Sequence, residues 1–137
     1  MLSKQPLISA IVIDDDPVLT EVMTSILTNL RVSVIGIANN GEDGFQLYQE
    51  QRPELVLLDI EMPEWDGLQS LIAIRTFDTE AYVVMLTGID DEKYVEECVA
   101  AGAKDYIRKG LKSSEIVVRL QRHLAGLRSR KDESSRN

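Results

Sequence analysis

Acidic, hydroxyl and cationic residues stand where apolar runs of the sequence end. The candidates for chemistry are Asp14, Asp15, Asp16, Asp59, Thr87 and Lys109. Carboxylates in a cluster repel one another, so they need a cation close by to stay ionised together. Oxygen ligands without a neighbouring histidine or cysteine favour Mg²⁺, which keeps several waters and accepts a phosphate oxygen. Carboxylates, a hydroxyl and an ammonium together suit phosphoryl transfer.

Phosphoryl transfer relies on positioning and on groups that neutralise the oxygens of the transferring group. Asp59 is the candidate nucleophile, because the strongly apolar run before it, Leu55–Leu58, predicts a strand that holds its carboxylate in place. A metal ion and the Lys109 ammonium would each neutralise an oxygen. The Thr87 hydroxyl would donate a hydrogen bond to another.

Each of these residues, taken alone, also has a simpler explanation. Asp16 precedes Pro17 and is expected to cap the following helix, and Thr87 is placed to cap the helix after its own strand. An isolated Lys109 would be an ordinary surface lysine, and Asp14 alone would be a cap or a solvated carboxylate. The functional interpretation therefore depends on the whole set meeting in space.

Short apolar runs alternate along the chain with segments of helical period. The runs that predict strands are Ala10–Ile13, Val32–Ala38, Leu55–Leu58, Tyr82–Leu86 and Asp105–Ile107. Uninterrupted apolar strands are typical of a parallel sheet covered on both faces. We predict an α/β fold: a doubly wound, five-stranded parallel sheet, flavodoxin-like with order 2-1-3-4-5, in three α/β/α layers. Ligands bind such sheets beyond the carboxyl ends of the strands, where the candidate residues stand.

Length and charge limit the class of protein. The 137 residues fit one domain, which we assign to residues 1–126, with 127–137 as a polar C-terminal tail or linker that we expect to be frayed. A formal net charge of −8 argues against direct binding of nucleic acid, because phosphate backbones attract basic surfaces. No apolar run approaches the ~20 residues that span a bilayer, so no membrane association is expected.

Cysteine and histidine, two residue types that often take part in chemistry, occur once each in the sequence. Cys98 is the only cysteine, so an internal disulfide is excluded, and we expect it to be a small buried apolar residue. Met1–Pro6 lacks the layout of a signal peptide, which favours a cytoplasmic protein. The only histidine, His123, has no evident partner residues and is interpreted as a surface residue.

Four blocks of the sequence resemble bacterial two-component response-regulator receiver domains. They are Val12–Pro17, Leu57–Pro63 followed by Asp66-Gly67, Met85–Gly88, and Ala101–Lys109. The blocks occur in order at the ends of the predicted strands, and the resemblance covers roughly residues 8–125. It implies a magnesium-dependent signalling switch that is no enzyme beyond its own phosphotransfer and dephosphorylation.

The resemblance also implies roles for individual residues. Asp14, Asp15, Asp59 and the backbone carbonyl of Glu61 would bind Mg²⁺. Asp59 would accept the phosphoryl group from a sensor histidine kinase, a phosphotransfer protein or a small phosphodonor. Lys109 would form an ion pair with one phosphoryl oxygen.

A switch and a readout face follow from the same resemblance. Thr87 would bond a phosphoryl oxygen after transfer, and Tyr106 would turn inward as the threonine moves. The surface of the fourth helix, fifth strand and fifth helix would then change and control a downstream protein. The pattern of the last helix is equally compatible with a homodimer through this face and with a monomer. The simpler interpretation of Tyr106 is a half-buried strand aromatic.

Three positions depart from the usual receiver pattern. Gly110 replaces the proline that normally follows the lysine, and a cis bond without proline costs ~2.5–4 kcal/mol, which favours a trans bond and a looser loop here. Glu61 adds a carboxylate close to the nucleophile. Trp65 stands where smaller aliphatic residues are commoner, either as a solvated loop residue or as one that shields the site or contacts a partner.

Three other interpretations remain open. The first alternative is a receiver fragment of a larger regulator whose output domain is absent. A small aspartyl-nucleophile phosphohydrolase on a similar sheet is a remote alternative, because those enzymes usually have a second aspartate where Glu61 stands. A silent site with a constitutive interaction surface is disfavoured by the intact candidate set.

Overall fold

The chain alternates strands and helices from one end to the other. A computed structural model describes residues 7–88 and 92–135. The elements are β1 (Ile8–Ile13), α1 (Pro17–Asn29), β2 (Val32–Ala38), α2 (Gly41–Gln51), β3 (Leu55–Asp59), α3 (Gly67–Phe77), β4 (Val83–Thr87), α4 (Glu92–Ala100), β5 (Asp105–Arg108) and α5 (Ser113–Ser135). All strand pairs are parallel and the order is β2-β1-β3-β4-β5. The predicted fold class and strand order are confirmed.

Each face of the sheet has its own apolar core. On one face α1 and α5 pack against the strands, and this core includes Met23, Leu27, Leu120 and Leu124. On the other face α2, α3 and α4 contribute Tyr48, Leu71, Ile74 and Cys98. Successive strand residues point to opposite faces, so an uninterrupted apolar strand such as β3 fills both cores at once. The result is the predicted three-layer arrangement.

Side-chain caps fix where the first three helices begin. The Asp16 carboxylate accepts a hydrogen bond from the backbone N–H of Val18 at 3.0 Å, as predicted from the sequence. Asn40 caps α2 in the same way. Asp66 and Gln69 form a reciprocal capping box at the start of α3, which fixes the loop that leaves β3.

The last helix differs from the sequence expectation. We expected the polar end of the chain to be frayed, but α5 continues to Ser135. Arg128 donates a hydrogen bond to the carbonyl of Leu30 at 2.7 Å, just beyond α1. Lys131 donates to the carbonyl of Leu7 at 2.7 Å and to the Glu54 carboxylate at 3.1 Å. These long cationic side chains hold the polar end of α5 against the domain, which composition alone does not reveal.

Smaller differences concern element boundaries. The fourth strand is displaced by one residue from the predicted Tyr82–Leu86. The described part of α4 begins at Glu92. All described peptide bonds are trans, including the one between Lys109 and Gly110. Within residues 7–88 and 92–135, no helix has the length and apolarity to cross a membrane.

Candidate functional site

The carboxyl ends of four parallel strands place the candidate residues at one edge of the sheet. Asp14 follows β1, Asp59 ends β3, Thr87 ends β4 and Lys109 follows β5. The ladders set this alignment: Ile13 pairs with Leu58, Asp59 with Leu86, and Thr87 with Arg108. Residues that are far apart in sequence therefore meet because their strands end at the same level.

Three carboxylates form a cluster at this edge. One oxygen from each of Asp14, Asp15 and Asp59 lies within 4.8 Å of the others. Asp14 and Asp59 are 1% and 0% exposed, whereas Asp15 faces solvent. The cluster is thus open to solvent at Asp15.

Lys109 provides the cation of the site. Its Nζ lies 2.8 Å from Asp59 Oδ1 and 3.1 Å from Asp14 Oδ2. Its backbone N–H donates to the carbonyl of Thr87 at 2.9 Å, which anchors the loop after β5 although Gly110 replaces the usual proline. Burial alone would lower the pKa of Lys109, but the carboxylates of Asp59 and Asp14 outweigh it and raise that pKa. The ammonium therefore stays charged.

Backbone contacts hold Asp59 in position. The N–H of Ile60 donates to the carbonyl of Leu86 at 3.0 Å, and the N–H of Gly67 donates to the carbonyl of Ile60 at 2.9 Å. The N–H of Glu61 donates to Asp59 Oδ1 at 3.1 Å. The other carboxylate oxygen, Oδ2, is buried and accepts no hydrogen bond from the described residues. Asp59 is therefore fixed through one oxygen, and the second oxygen is left for a ligand.

The charge balance of the site fits a bound cation. Burial raises the pKa of the Asp59 carboxyl well above its ordinary value; the hydrogen bond from Lys109 opposes this and the charge of Asp14 adds to it. One ammonium does not compensate three carboxylates, so the site favours a further positive charge. The donors are carboxylate oxygens, as Mg²⁺ prefers, and the unpartnered Asp59 Oδ2 lies within the cluster. The residues present therefore fit a divalent cation.

The two predicted switch residues lie on β4 and β5. Thr87 is 1% exposed at the end of β4. Tyr106 is half-buried in β5 and lines a groove of about 450 Å³ between α4 and β5, together with Val95, Val99 and Arg108. The structure thus places Tyr106 beside the surface of α4. Its half-buried position also agrees with the simpler interpretation of this residue.

Glu61 and Trp65 lie in the loop after β3. The Glu61 carboxylate is exposed and approaches Gly88 so closely that a Cβ there would lie 3.0 Å from Oε1. Trp65 packs against Phe45 of α2 with ring centroids 6.1 Å apart and is only partly exposed. Trp65 therefore covers the α2 side of the loop rather than standing free in solvent.

Sequence reasoning missed one polar cluster and misjudged its histidine. His123 was interpreted as a surface residue without partners, but its side chain is only 14% exposed. It lies 2.6 Å from the Tyr82 hydroxyl and 2.8 Å from an oxygen of Asp105, whose other oxygen pairs with Arg119. The sequence did contain one indication of this cluster. Arg119 and His123 are four positions apart on a predicted helix, which places them on the same face.

Fold and site together define an α/β protein with an acidic, lysine-containing pocket at the carboxyl edge of a parallel sheet. The family model described as "Response regulator receiver domain" matches residues 10–121. The chain belongs to the response-regulator receiver family. It is therefore a signalling protein, and its aspartate cluster is of the kind at which receiver domains bind Mg²⁺ and become phosphorylated.

Individual relatives agree with this assignment. The chemotaxis protein CheY of Thermotoga maritima is 30% identical over 112 residues, which cover 82% of this chain and 93% of CheY. The probable C4-dicarboxylate response regulator DctR of Bacillus subtilis is 34% identical over 114 residues, 82% of this chain but only 50% of DctR. The chain thus spans half of one relative and most of the other.

The solved structures show the same fold. The chain is similar to the crystal structure of the CheX-CheY-BeF3-Mg²⁺ complex from Borrelia burgdorferi, with a TM-score of 0.79 and 30% identity over 82% of this chain and 86% of that chain. That complex contains both BeF3 and Mg²⁺.

Proposed function

We propose that this chain is a phosphorylation-activated switch in which Asp59 accepts a phosphoryl group when Mg²⁺ is bound. The observation that carries the proposal is the arrangement around Asp59. Its Oδ1 is held by Lys109 at 2.8 Å and by the Glu61 N–H at 3.1 Å, while its buried Oδ2 has no partner among the described residues. One oxygen is fixed and the other is available as a nucleophile.

Asp14, Asp15, Asp59 and the backbone carbonyl of Glu61 would hold the metal ion. When bound, Mg²⁺ neutralises phosphoryl oxygens and reduces the repulsion between the carboxylate and the incoming anion. Asp59 Oδ2 forms the new bond to phosphorus as the bond to the leaving group of the donor breaks. Lys109, already charged and placed between Asp14 and Asp59, pairs with a second phosphoryl oxygen.

Thr87 and Tyr106 would carry the change from the site to the surface. Thr87 ends the strand beside Asp59, so its hydroxyl is placed to donate to a phosphoryl oxygen. Tyr106 pairs with Met85 across the ladder between β4 and β5 and lines the groove beside α4. Phosphorylation shifts this equilibrium only as far as the phosphoryl group binds one conformer more tightly than the other. The readout face is the surface of α4, β5 and α5.

The partners follow from the family. The phosphoryl group would come from a sensor histidine kinase or a phosphotransfer protein, and the readout face would bind a downstream protein or a second copy of this chain. As part of the proposal the chain acts in the cytoplasm, where its single cysteine, Cys98, stays reduced and buried. Because the chain spans only half of DctR, a receiver belonging to a longer regulator is equally compatible with these partners.

Intact-mass spectrometry with a small phosphodonor such as acetyl phosphate tests the phosphoacceptor role. We expect one added phosphoryl group that requires Mg²⁺, that is lost in Asp59→Asn and that persists in the control Asp43→Asn, an exposed aspartate of α2. An adduct on Asp59→Asn equal to that on the unmodified chain would reject Asp59 as the nucleophile. Addition of beryllofluoride with Mg²⁺ and measurement of Trp65 fluorescence separates a short-lived adduct from a silent site, because only a competent site responds.

A further inference from the structure

The outer edge of β5 is closed by side chains instead of by another strand. β5 is the last strand of the sheet, so half of its backbone groups face away from β4. At Tyr106 both outward groups have partners: its N–H donates to Asp105 Oδ1 at 2.8 Å, and its carbonyl accepts from Arg119 of α5 at 2.7 Å. The backbone of Tyr106 is thus fixed on the side that the sheet leaves open.

Asp105 is the centre of a network that we call the Asp105 network: Tyr82, Asp105, Arg119 and His123. Arg119 binds the carboxylate in a two-bond geometry, at 2.5 Å to Oδ1 and 3.2 Å to Oδ2. His123 Nε2 lies 2.8 Å from Oδ2. Burial alone would raise the pKa of Asp105, but the hydrogen bonds from Arg119 and His123 outweigh it and lower that pKa. Both carboxylate oxygens are fully occupied.

The imidazole of His123 connects this network to the start of β4. A carboxylate only accepts hydrogen bonds, so Nε2 donates to Asp105. Nδ1, on the other side of the ring, lies 2.6 Å from the Tyr82 hydroxyl and shares a hydrogen bond with it. The rings of Tyr82 and His123 also meet edge to face, with centroids 5.6 Å apart. The network therefore joins α5 to both β4 and β5 through directed bonds.

We propose that Arg119 and His123 are positioning residues for the switch: through Asp105 they fix the backbone of Tyr106, so that only its side chain turns when Asp59 is phosphorylated. This inference rests on the proposed function, because it assumes that Tyr106 responds to the site. It goes further because it assigns a role in the switch to Arg119 and His123, whose side chains are not among the switch residues Thr87 and Tyr106. With the backbone fixed, the change at the site is transmitted as a rotation about side-chain bonds and is not dissipated in movement of the edge strand.

Fluorine NMR of 3-fluorotyrosine-labelled protein measures this directly. The Tyr106 signal is assigned by its loss in Tyr106→Phe, and the probe of activation is beryllofluoride with Mg²⁺. We compare Arg119→Ala with Arg122→Ala, an exposed arginine on the same helix. In the unmodified chain and in Arg122→Ala, the Tyr106 signal is expected to move between two positions. In Arg119→Ala the difference between the two states is expected to fall to roughly half or less, since the backbone then moves as well.

His123 provides a second, milder pair of variants. His123→Gln keeps a donor near the position of Nε2 and should retain most of the Tyr106 response, whereas His123→Leu removes the donor and should reduce it. A purely structural role predicts that both variants lower the unfolding temperature without changing the response of the folded protein. All spectra are therefore recorded well below the unfolding temperature of each variant.

The outcomes separate this inference from the proposed function. A full response in Arg119→Ala, equal to that of Arg122→Ala, overturns the positioning role. A chain that gains a phosphoryl group by mass but shows no Tyr106 response overturns the switch role and this inference with it, while Asp59 remains the phosphoacceptor. A chain that gains no phosphoryl group and shows no response to beryllofluoride overturns both.

Discussion

α3 and α4 occupy corresponding places in the fold, yet they are held very differently. Each follows a strand that delivers a site residue, Asp59 before α3 and Thr87 before α4. α3 buries Gly67, Ser70, Leu71 and Ile74 and begins with a capping box. Among the residues of α4 that the structure describes, Cys98 is the buried one. The helix after the nucleophile is firmly fixed, and the helix after the switch threonine is not.

The contact between the two helices is itself polar. The Tyr94 side chain of α4 interacts electrostatically with the carboxylate of Asp66, the N-cap of α3. Burial first, and then this carboxylate, raises the pKa of Tyr94. Segments with few buried apolar contacts open at low free-energy cost, so α4 is suited to move while α3 keeps Asp59 in place. The comparison indicates that rigidity and mobility are divided between neighbouring βα units.

The largest expected effect is on the free energy of unfolding, when a buried side chain of each helix is truncated. Leu71→Ala in α3 removes a residue that is 0% exposed and should lower the free energy of unfolding by about 3 kcal/mol. Cys98→Ala in α4 deletes a single sulfur atom and should lower it by about 1 kcal/mol. Urea denaturation measures both values. Equal losses would show that α4 is held as firmly as α3.

The start of α3 should tolerate no added methyl group. A Cβ at Gly67 would lie 2.5 Å from the Asp59 carbonyl oxygen and from Ile60 Cα, so Gly67→Ala should cost about 2 kcal/mol and reduce phosphorylation of Asp59. Gly126→Ala is the control, because nothing lies within 4 Å of a Cβ there and alanine favours a helix. Urea denaturation and intact mass give the two readouts. A fully stable, fully phosphorylated Gly67→Ala would contradict the close packing.

Loss of the Tyr94 hydroxyl should loosen α4 alone. Tyr94→Phe removes the interaction of the hydroxyl with the Asp66 carboxylate, worth about 1 kcal/mol, and should speed amide exchange in α4 by ~5-fold while α3 keeps its protection. Tyr82→Phe removes a hydroxyl just before β4 and should leave α4 unchanged. Hydrogen exchange followed by mass spectrometry resolves the two helices. Equal acceleration in α3 would mean that the helices open together.

The smallest effect concerns the far end of α3 and depends on pH. Asp78, the C-cap, accepts a hydrogen bond from the Tyr48 hydroxyl at 2.7 Å. This hydrogen bond lowers the pKa of Asp78. Burial, and then the hydrogen bond with Asp78, raise the pKa of Tyr48. The lowered pKa gives stability that is present above the ordinary aspartate value and lost as pH falls through the folded value. The raised pKa of Tyr48 gives stability that is fully present below the ordinary tyrosine pKa and is lost as pH rises through the folded value. Urea denaturation across pH should show both slopes weakened in Asp78→Asn, and unchanged slopes would contradict this anchor.

The sequence predicted the features that follow directly from a parallel sheet, above all which residues meet at its carboxyl edge. Asp14, Asp59, Thr87 and Lys109 meet because each stands at a strand end, and the apolar runs locate those ends without knowledge of any contact. The cap at Asp16 was likewise readable, because a helix start depends on residues close in sequence.

Contacts between distant segments were not readable. His123 looked isolated because its partners, Tyr82 and Asp105, come from other elements, 41 and 18 positions away. The end of α5 looked frayed because its composition is polar, although Arg128 binds a carbonyl 98 positions away. Periodicity reports which face of an element is apolar, and it contains no information on which polar groups face each other across elements.

The closure of the fold by α5 has a consequence for synthesis on the ribosome. β1 is made early, yet one of its faces is covered by Leu120 and Leu124, and Lys131 binds a carbonyl 124 positions away. Until α5 leaves the exit tunnel, the apolar residues of β1 on that face lack the part of their cover that α5 provides and are open to misassembly. The nascent chain therefore completes the surroundings of β1 only when α5 is available, so β1, although it is made first, is among the last strands to be fully covered.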